Sequence, residues 1–189
     1  MNNIISIYKV KLFNKRKLKI TEEDLIIKAQ RGCNESFEKL IDKHKEYIYK
    51  TAFIYVKNEH DALDIYQETV FKAYMNISKL KNIKFFKTWI TKILINNVNM
   101  KNRHYKKFED CQVEDYIGDI SYLNIEEKID LYDAIDSLEE KYKTPIILQY
   151  FHDFSIAQIS EITGNNENTI KSNIRRGKKK IYDLLKEDK

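Results

Sequence analysis

Basic and amide side chains recur at helical spacing near the end of the chain, in a pattern suited to binding nucleic acid. Isoleucines occupy every third position from 156 to 162, a break follows at Gly164, and the next segment is rich in Lys, Arg, Ser and Asn. This order is typical of a helix-turn-helix, whose second helix enters the DNA major groove. Arginine can bind guanine O6 and N7 together, while lysine and serine bind bases or phosphates. The predicted contacts on this second helix are Thr169, Lys171, Ser172, Arg175, Arg176 and Lys179.

A second polar cluster lies on one face of an earlier predicted helix. Asp61, Asp64 and Glu68 share that face with Gln67, within a block of the chain that is otherwise basic. One interpretation is a solvated surface. A second is a carboxylate metal site, but the sequence lacks the paired Glu-x-x-His motifs that a di-iron bundle needs. A third is a docking face for a basic helical partner.

The chain lacks the common signatures of catalysis. It contains no Gly-rich phosphate loop, no nucleophile elbow and no Cys/His metal motif, and Cys33 and Cys111 are isolated. We therefore expect no enzyme activity, no catalytic residues, no cofactor or metal, and no small-molecule substrate. No run approaches the roughly 20 apolar residues of a membrane span, so a cytoplasmic protein is expected.

The elements that must position these clusters are helices. With only 4 Gly and 1 Pro in 189 residues the chain has few helix breakers, and apolar residues repeat with a 3.6-residue period, without strand alternation in the first domain. Charge separates the chain further: residues 1–107 are basic, residues 108–127 are acidic, and residues 170–189 are basic again. The sequence predicts an all-α fold of two small helical domains, in which Pro145 occupies the first turn of its helix. The expected boundaries are a basic N-terminal tail over 1–20, a first domain over 21–103, a flexible acidic linker over 104–125, and a second domain over 126–189.

Aromatic residues open the last predicted helix of the first domain. Phe85, Phe86 and Trp89 could stack on the bases of melted DNA. Phe86 and Trp89, however, lie on the apolar stripe with Ile93, which favours a place in the core. Phe85 stays open to either interpretation.

Several motifs, in order, resemble the extracytoplasmic-function (ECF) group of bacterial sigma factors, in the sigma-70 family. Asp64-Ile-Tyr-Gln-Glu68 resembles the Asp-x-x-Gln-Glu signature of region 2.2. Phe86-Lys-Thr-Trp89-Ile-x-Lys92 with Asn96 resembles the helix of regions 2.3 and 2.4. The segment Ser155-Ile-x-x-Ile-Ser-x-Ile with Thr169-Ile-Lys-Ser172 resembles region 4. The resemblance covers residues 24–103 and 126–186.

This resemblance implies a transcription initiation factor that binds core RNA polymerase and promoter DNA. Region 2 would bind the clamp helices of the polymerase β′ subunit and capture unpaired bases of the −10 element, with Asn96 in the pocket for a flipped base. Region 4 would bind the β flap and read the −35 element as duplex through the helix-turn-helix residues given above. An anti-sigma factor is the expected regulator. The residues implied for polymerase are Leu63, Asp64, Gln67, Glu68 and Phe71, and those implied for −10 DNA are Lys81, Asn82, Lys84, Lys92, Asn96 and Lys101.

A different class of protein also fits the helix-turn-helix. A stand-alone repressor or activator would use the same recognition helix, commonly as a dimer on repeated half-sites. In such a protein residues 21–103 would need another role, and the sequence offers no clear dimerisation helix. The acidic linker is open to two interpretations, a passive tether or a segment that discourages free DNA binding.

Overall fold

The computed structural model describes residues 20–108 and 125–187, with side chains described outside 103–108, 125–130 and 187. Within those ranges the chain forms α-helices joined by short turns, which confirms the predicted all-α fold. Two short 3₁₀ turns, Ile77–Lys79 and Ile83–Phe85, separate the third and fourth helices. The helices are α1 (Glu22–Gln30), α2 (Asn34–Val56), α3 (Glu59–Asn76), α4 (Phe86–Phe108), α5 (Ile125–Asp136), α6 (Glu140–Tyr150), α7 (Ile156–Thr163) and α8 (Glu167–Glu187).

Local chemistry sets the starts of α1 and α3 and the break between α1 and α2. Thr21 forms a capping box with Asp24, which satisfies backbone N–H groups at the start of α1. Gly32 adopts a φ of +88° between α1 and α2, a conformation that costs little only for glycine. Asn58 caps α3 through its side chain, which accepts a hydrogen bond from the Asp61 N–H at 3.0 Å.

Apolar residues of α1 to α4 form the core of the first bundle. Phe86 is 1% exposed, and Trp89 is partly buried against the same core, so the core interpretation of both aromatics is confirmed. Phe85 remains 44% exposed. The amide of Gln30 donates to the carbonyls of Ile77 and Leu80 at 3.1 and 2.7 Å, which fixes the path of the turns before α4.

The structure changes two predictions, the start of the linker and the position of Pro145 in its helix. Helix α4 continues to Phe108, so the first residues of the predicted linker are helical. The rest of that linker and the basic tail up to residue 19 lie outside the described residues. Pro145 is not in the first turn of its helix, as predicted, but at the sixth position of α6. The residues from Tyr142 to Leu148 are all buried, and this packing outweighs the hydrogen bond that proline removes.

The helix-turn-helix has the predicted form. Ser155 and Gln158 make a capping box at the start of α7, and Gly164 ends that helix with a φ of +73°. Asn166 Oδ1 then accepts a hydrogen bond from the Thr169 N–H at 2.8 Å, which caps α8. The turn therefore fixes the angle at which α8 leaves α7.

Helix α8 approaches α6 closely at Gly177. A Cβ atom there would lie 2.5 Å from Ile146 Cδ1 and 3.2 Å from Tyr142 Cβ. We expect Gly177→Val to lower the free energy of unfolding by about 1–3 kcal/mol, because overpacking would push α8 away from α6. Thermal unfolding of the variant measures this, with Lys178→Val as the exposed control on the same helix. Equal melting temperatures for the two variants would contradict the close approach.

The two bundles pack on each other, with α4 lying against α7. His152, between α6 and α7, contacts Thr51 Oγ1 of α2 through Nε2 at 3.0 Å, and its carbonyl accepts from Lys87 Nζ at 3.4 Å. Lys57 adds ion pairs to Asp133 and Asp136 at 3.2 and 3.4 Å. The domains therefore share a continuous apolar core, which the sequence did not predict.

This contact is sensitive to acid through His152. Burial, with help from Lys87, lowers the pKa of His152 to about 4 from 6.5, against a smaller opposing effect of Asp153. A lowered pKa means that stability is complete above pH 6.5 and is lost as the pH falls toward 4. The loss at pH 5 is at most about 2 kcal/mol, and less after solvent screening.

We therefore expect the protein to lose more thermal stability between pH 7 and pH 5 than its His152→Gln variant does. Glutamine retains a polar group toward Thr51 but does not titrate. Melting temperatures of both proteins at the two pH values measure the difference. A variant with the full acid sensitivity of the parent would contradict the assignment to His152.

Within residues 20–108 and 125–187, no helix is long and apolar enough to cross a membrane.

Candidate nucleic-acid and protein-binding surfaces

An acidic groove runs between α3 and α4. It has a volume of about 560 Å³, and its walls combine the carboxylates of Asp64 and Glu68 with two paired lysines, Lys72 and Lys101, and with exposed apolar side chains. Phe71 is 59% exposed and Met100 is 52% exposed, and both line the groove. Leu63, also on α3, is 47% exposed. Of the residues predicted for polymerase binding, the groove brings together Asp64, Gln67, Glu68 and Phe71.

A partly buried polar network joins the two walls of the groove. The Lys72 ammonium pairs with Glu68 at 3.0 Å and donates to Asn97 Oδ1 at 2.6 Å. Asn97 is only 5% exposed and donates in turn to Thr69 Oγ1 at 3.0 Å, which ties α4 to α3. Lys72 and Asn97 were not predicted, because a contact between helices has no local sequence signal.

Lys101 lies at one end of the acidic groove and faces its carboxylates. Its Nζ is 2.7 Å from Asp61 and 3.0 Å from Asp64, and its side chain is 19% exposed. The Lys101 hydrogen bond holds the pKa of Asp64 below its usual value. His60 is 3.5 Å from Asp64 and completes a cluster that resembles a metal site, but the ammonium of Lys101 supplies the positive charge there.

Other residues predicted for −10 DNA lie on two neighbouring elements. Lys92 and Asn96 are exposed one turn apart on α4. The segment before α4 contains the other three, Lys81, Asn82 and Lys84, of which the two lysines carry positive charge. Asn82 Oδ1 accepts a hydrogen bond from the Lys84 N–H at 3.1 Å, so this side chain shapes the turn. Lys101 differs from the other five, because its ammonium is engaged by carboxylates.

The recognition helix α8 presents most of its predicted contacts to solvent. Lys171, Arg175, Arg176 and Lys179 are exposed, whereas Thr169 and Ser172 are partly buried. Lys171 also faces Glu167 at 3.9 Å. Ile170 and Ile174 on the opposite side are buried against the core.

A smaller groove flanks the recognition helix. Its volume is about 410 Å³, and it lies between α8 and the end of α6. Lys178 Nζ stands 5.4 Å from the centre of the Tyr150 ring. Lys171 and Arg175 also line this groove, so the basic surface continues from the exposed face of α8 onto its side.

Known proteins match both halves of this chain. Residues 40–107 match the family Sigma-70 region 2, and residues 128–181 match Sigma-70, region 4. RNA polymerase sigma factor SigV of Bacillus subtilis is 38% identical over 151 residues, which cover 78% of this chain and 90% of the relative. ECF RNA polymerase sigma factor SigW of the same organism is 28% identical over 180 residues, which cover 86% of this chain and 95% of SigW.

Solved structures agree at the level of the fold. The sigma factor RpoE from Bartonella quintana, in complex with the anti-sigma factor NepR, has a TM-score of 0.68 at 22% identity, covering 82% of this chain and 99% of that one. CnrH, in complex with the cytosolic domain of CnrY, has a TM-score of 0.69 at 18% identity, covering 89% and 99%.

The two bundles and the helix-turn-helix thus have the fold of these solved structures, and the family models and sequence relatives identify the family. The chain belongs to the sigma-70 family of RNA polymerase sigma factors. Within that family it belongs to the extracytoplasmic-function group, and the predicted resemblance is confirmed.

Proposed function

We propose that this protein is a transcription initiation factor that binds core RNA polymerase through α3 and α4 and directs it to specific promoters. The acidic groove carries the proposal, because apolar side chains flanked by carboxylates suit an amphipathic helix with basic residues. The polymerase partner would be the β′ clamp helices, bound by Leu63, Asp64, Gln67, Glu68 and Phe71.

Promoter recognition is divided between the two bundles. The exposed face of α8 reads the −35 element as duplex through side chains that donate to base edges and phosphates. On α4, Asn96 captures an unpaired −10 base, since its amide offers a donor and an acceptor to a Watson–Crick edge. Lys92, Lys81 and Lys84 bind neighbouring phosphates, whereas Lys101 orders the acidic groove and contributes less to DNA.

Regulation by an anti-sigma factor belongs to the same proposal. The relatives CnrH and RpoE were solved with the cytosolic domain of CnrY and with the anti-sigma factor NepR, respectively. A comparable partner of this chain would act in the cytoplasm, where core polymerase is found, and would cover one of the surfaces described above.

Run-off transcription with core polymerase and genomic fragments tests the proposal directly. Addition of the protein is expected to produce discrete transcripts, and mapping their start sites gives the promoter sequence. Tight duplex binding by the protein alone, with no change in polymerase activity, would instead favour a stand-alone repressor.

A further inference from the structure

One stripe of α8 lies directly opposite its buried side. Successive residues of an α-helix are about 100° apart, so positions three and four residues apart share a face. Ile170, Ile174 and Gly177 are buried against the rest of the second bundle. On the opposite side, within about 60° of one another by the same geometry, lie Asn168, Ser172, Arg175 and Lys179.

Asn168 is the member of this stripe closest to the start of α8. In a helix-turn-helix, the N-terminal residues of the recognition helix contact base edges. Asn168 is the second residue of α8, and it is exposed. Ser172 follows one turn later, about 6 Å along the helix axis, so the two side chains would meet nearby base pairs.

The asparagines next to Asn168 form hydrogen bonds within the turn. Asn166 Oδ1 caps α8 by accepting from the Thr169 N–H, and the Asn165 amide donates to the Thr163 carbonyl at 3.4 Å. No hydrogen bond of the Asn168 side chain occurs among the residues that the structure describes. Its carboxamide is therefore available to a ligand without breaking any capping contact.

We propose that Asn168 reads an adenine of the −35 element in the major groove, an inference that rests on the proposed function. A carboxamide presents one acceptor and one donor side by side, which match the adenine N6 amino group and N7. Bidentate contacts of this kind discriminate against a wrong base by about 1–3 kcal/mol, which corresponds to about 5- to 150-fold in affinity.

A randomised promoter library tests this proposal even though the promoter sequence is not known. Holoenzyme is reconstituted from core polymerase with the full-length protein or with Asn168→Ala, and bound to duplexes randomised around position −35. The wild-type holoenzyme is expected to enrich A·T at one position that Asn168→Ala no longer selects, while the other selected positions are retained. Asn173→Ala, on the flank of the same helix, is the matched control and should retain every preference.

Replacing a single atom of the selected base tests the contact directly. Replacing the selected adenine by 7-deazaadenine removes N7, so it should weaken wild-type binding but leave Asn168→Ala binding unchanged. Equal weakening of both proteins, a uniform loss of affinity for all sequences, or unchanged preferences in Asn168→Ala would each overturn the assignment. Absence of any −35 selection by the wild-type holoenzyme would refute the proposed function itself.

Discussion

Replacing Glu68 by arginine is expected to abolish binding to core RNA polymerase while the protein remains folded. Glu68 is half-exposed on the wall of the acidic groove, and its partner Lys72 lies beside it. Arginine there would place two cations side by side in a surface that we propose to be complementary to a basic helix. Reversing a charge at the centre of such an interface costs several kcal/mol, enough to reduce affinity by more than a hundredfold.

A matched control separates docking from the loss of an ion pair. Glu46 forms the same i,i+4 pair with Lys50 at 2.6 Å on the exposed side of α2. Glu46→Arg should therefore match Glu68→Arg in thermal stability and yet bind core polymerase normally in a pull-down or titration. Undiminished binding by Glu68→Arg would remove the acidic groove from the proposed interface.

Arg176→Ala is expected to weaken −35 recognition by about 1–3 kcal/mol for each bidentate base contact that it removes. Arg176 is exposed on α8, and no ion pair of its guanidinium occurs among the described residues. Its fork of donors is thus free to bind guanine O6 and N7 together. Competition binding of holoenzyme to single-base variants of the −35 element measures the loss of discrimination.

Lys178→Ala provides the contrast, because Lys178 lies on the flank of α8 beside Tyr150. We expect the exposed Lys178 ammonium to bind a phosphate. Its loss should therefore lower affinity for every sequence alike and reduce the salt dependence of binding by about one counterion. If Arg176→Ala shows this uniform pattern instead, then Arg176 is a phosphate contact and not a base reader.

The sequence predicted those parts of the fold that depend on neighbouring residues. Thr21 and Asn58 are capping residues that precede apolar residues at helical spacing, and such caps act within one turn of the chain. Burial of Phe86 followed from its place on an apolar stripe. The helix-turn-helix was predicted from the spacing of its isoleucines and the break at Gly164, which are also local features of the sequence.

Features that depend on distant residues were missed. The network of Lys72 and Asn97 joins two helices. Because the two residues are far apart in sequence, no periodic pattern predicts their contact. The engagement of Lys101 by Asp61 likewise required the packing of α4 on α3. Pro145 was misplaced because tertiary packing of α6 overrides the local preference of proline for a first turn.

Under the proposed function, the contact between α4 and α7 would impose an energetic cost on promoter binding. Elements named for positions −10 and −35 lie about 85 Å apart at 3.4 Å per base pair, so one molecule reaches both only after its two bundles separate. The apparent affinity of the free protein for a promoter is then reduced by the fraction of molecules that are open. A polymerase that held the bundles apart would remove this cost and would make tight DNA binding conditional on the enzyme that uses it.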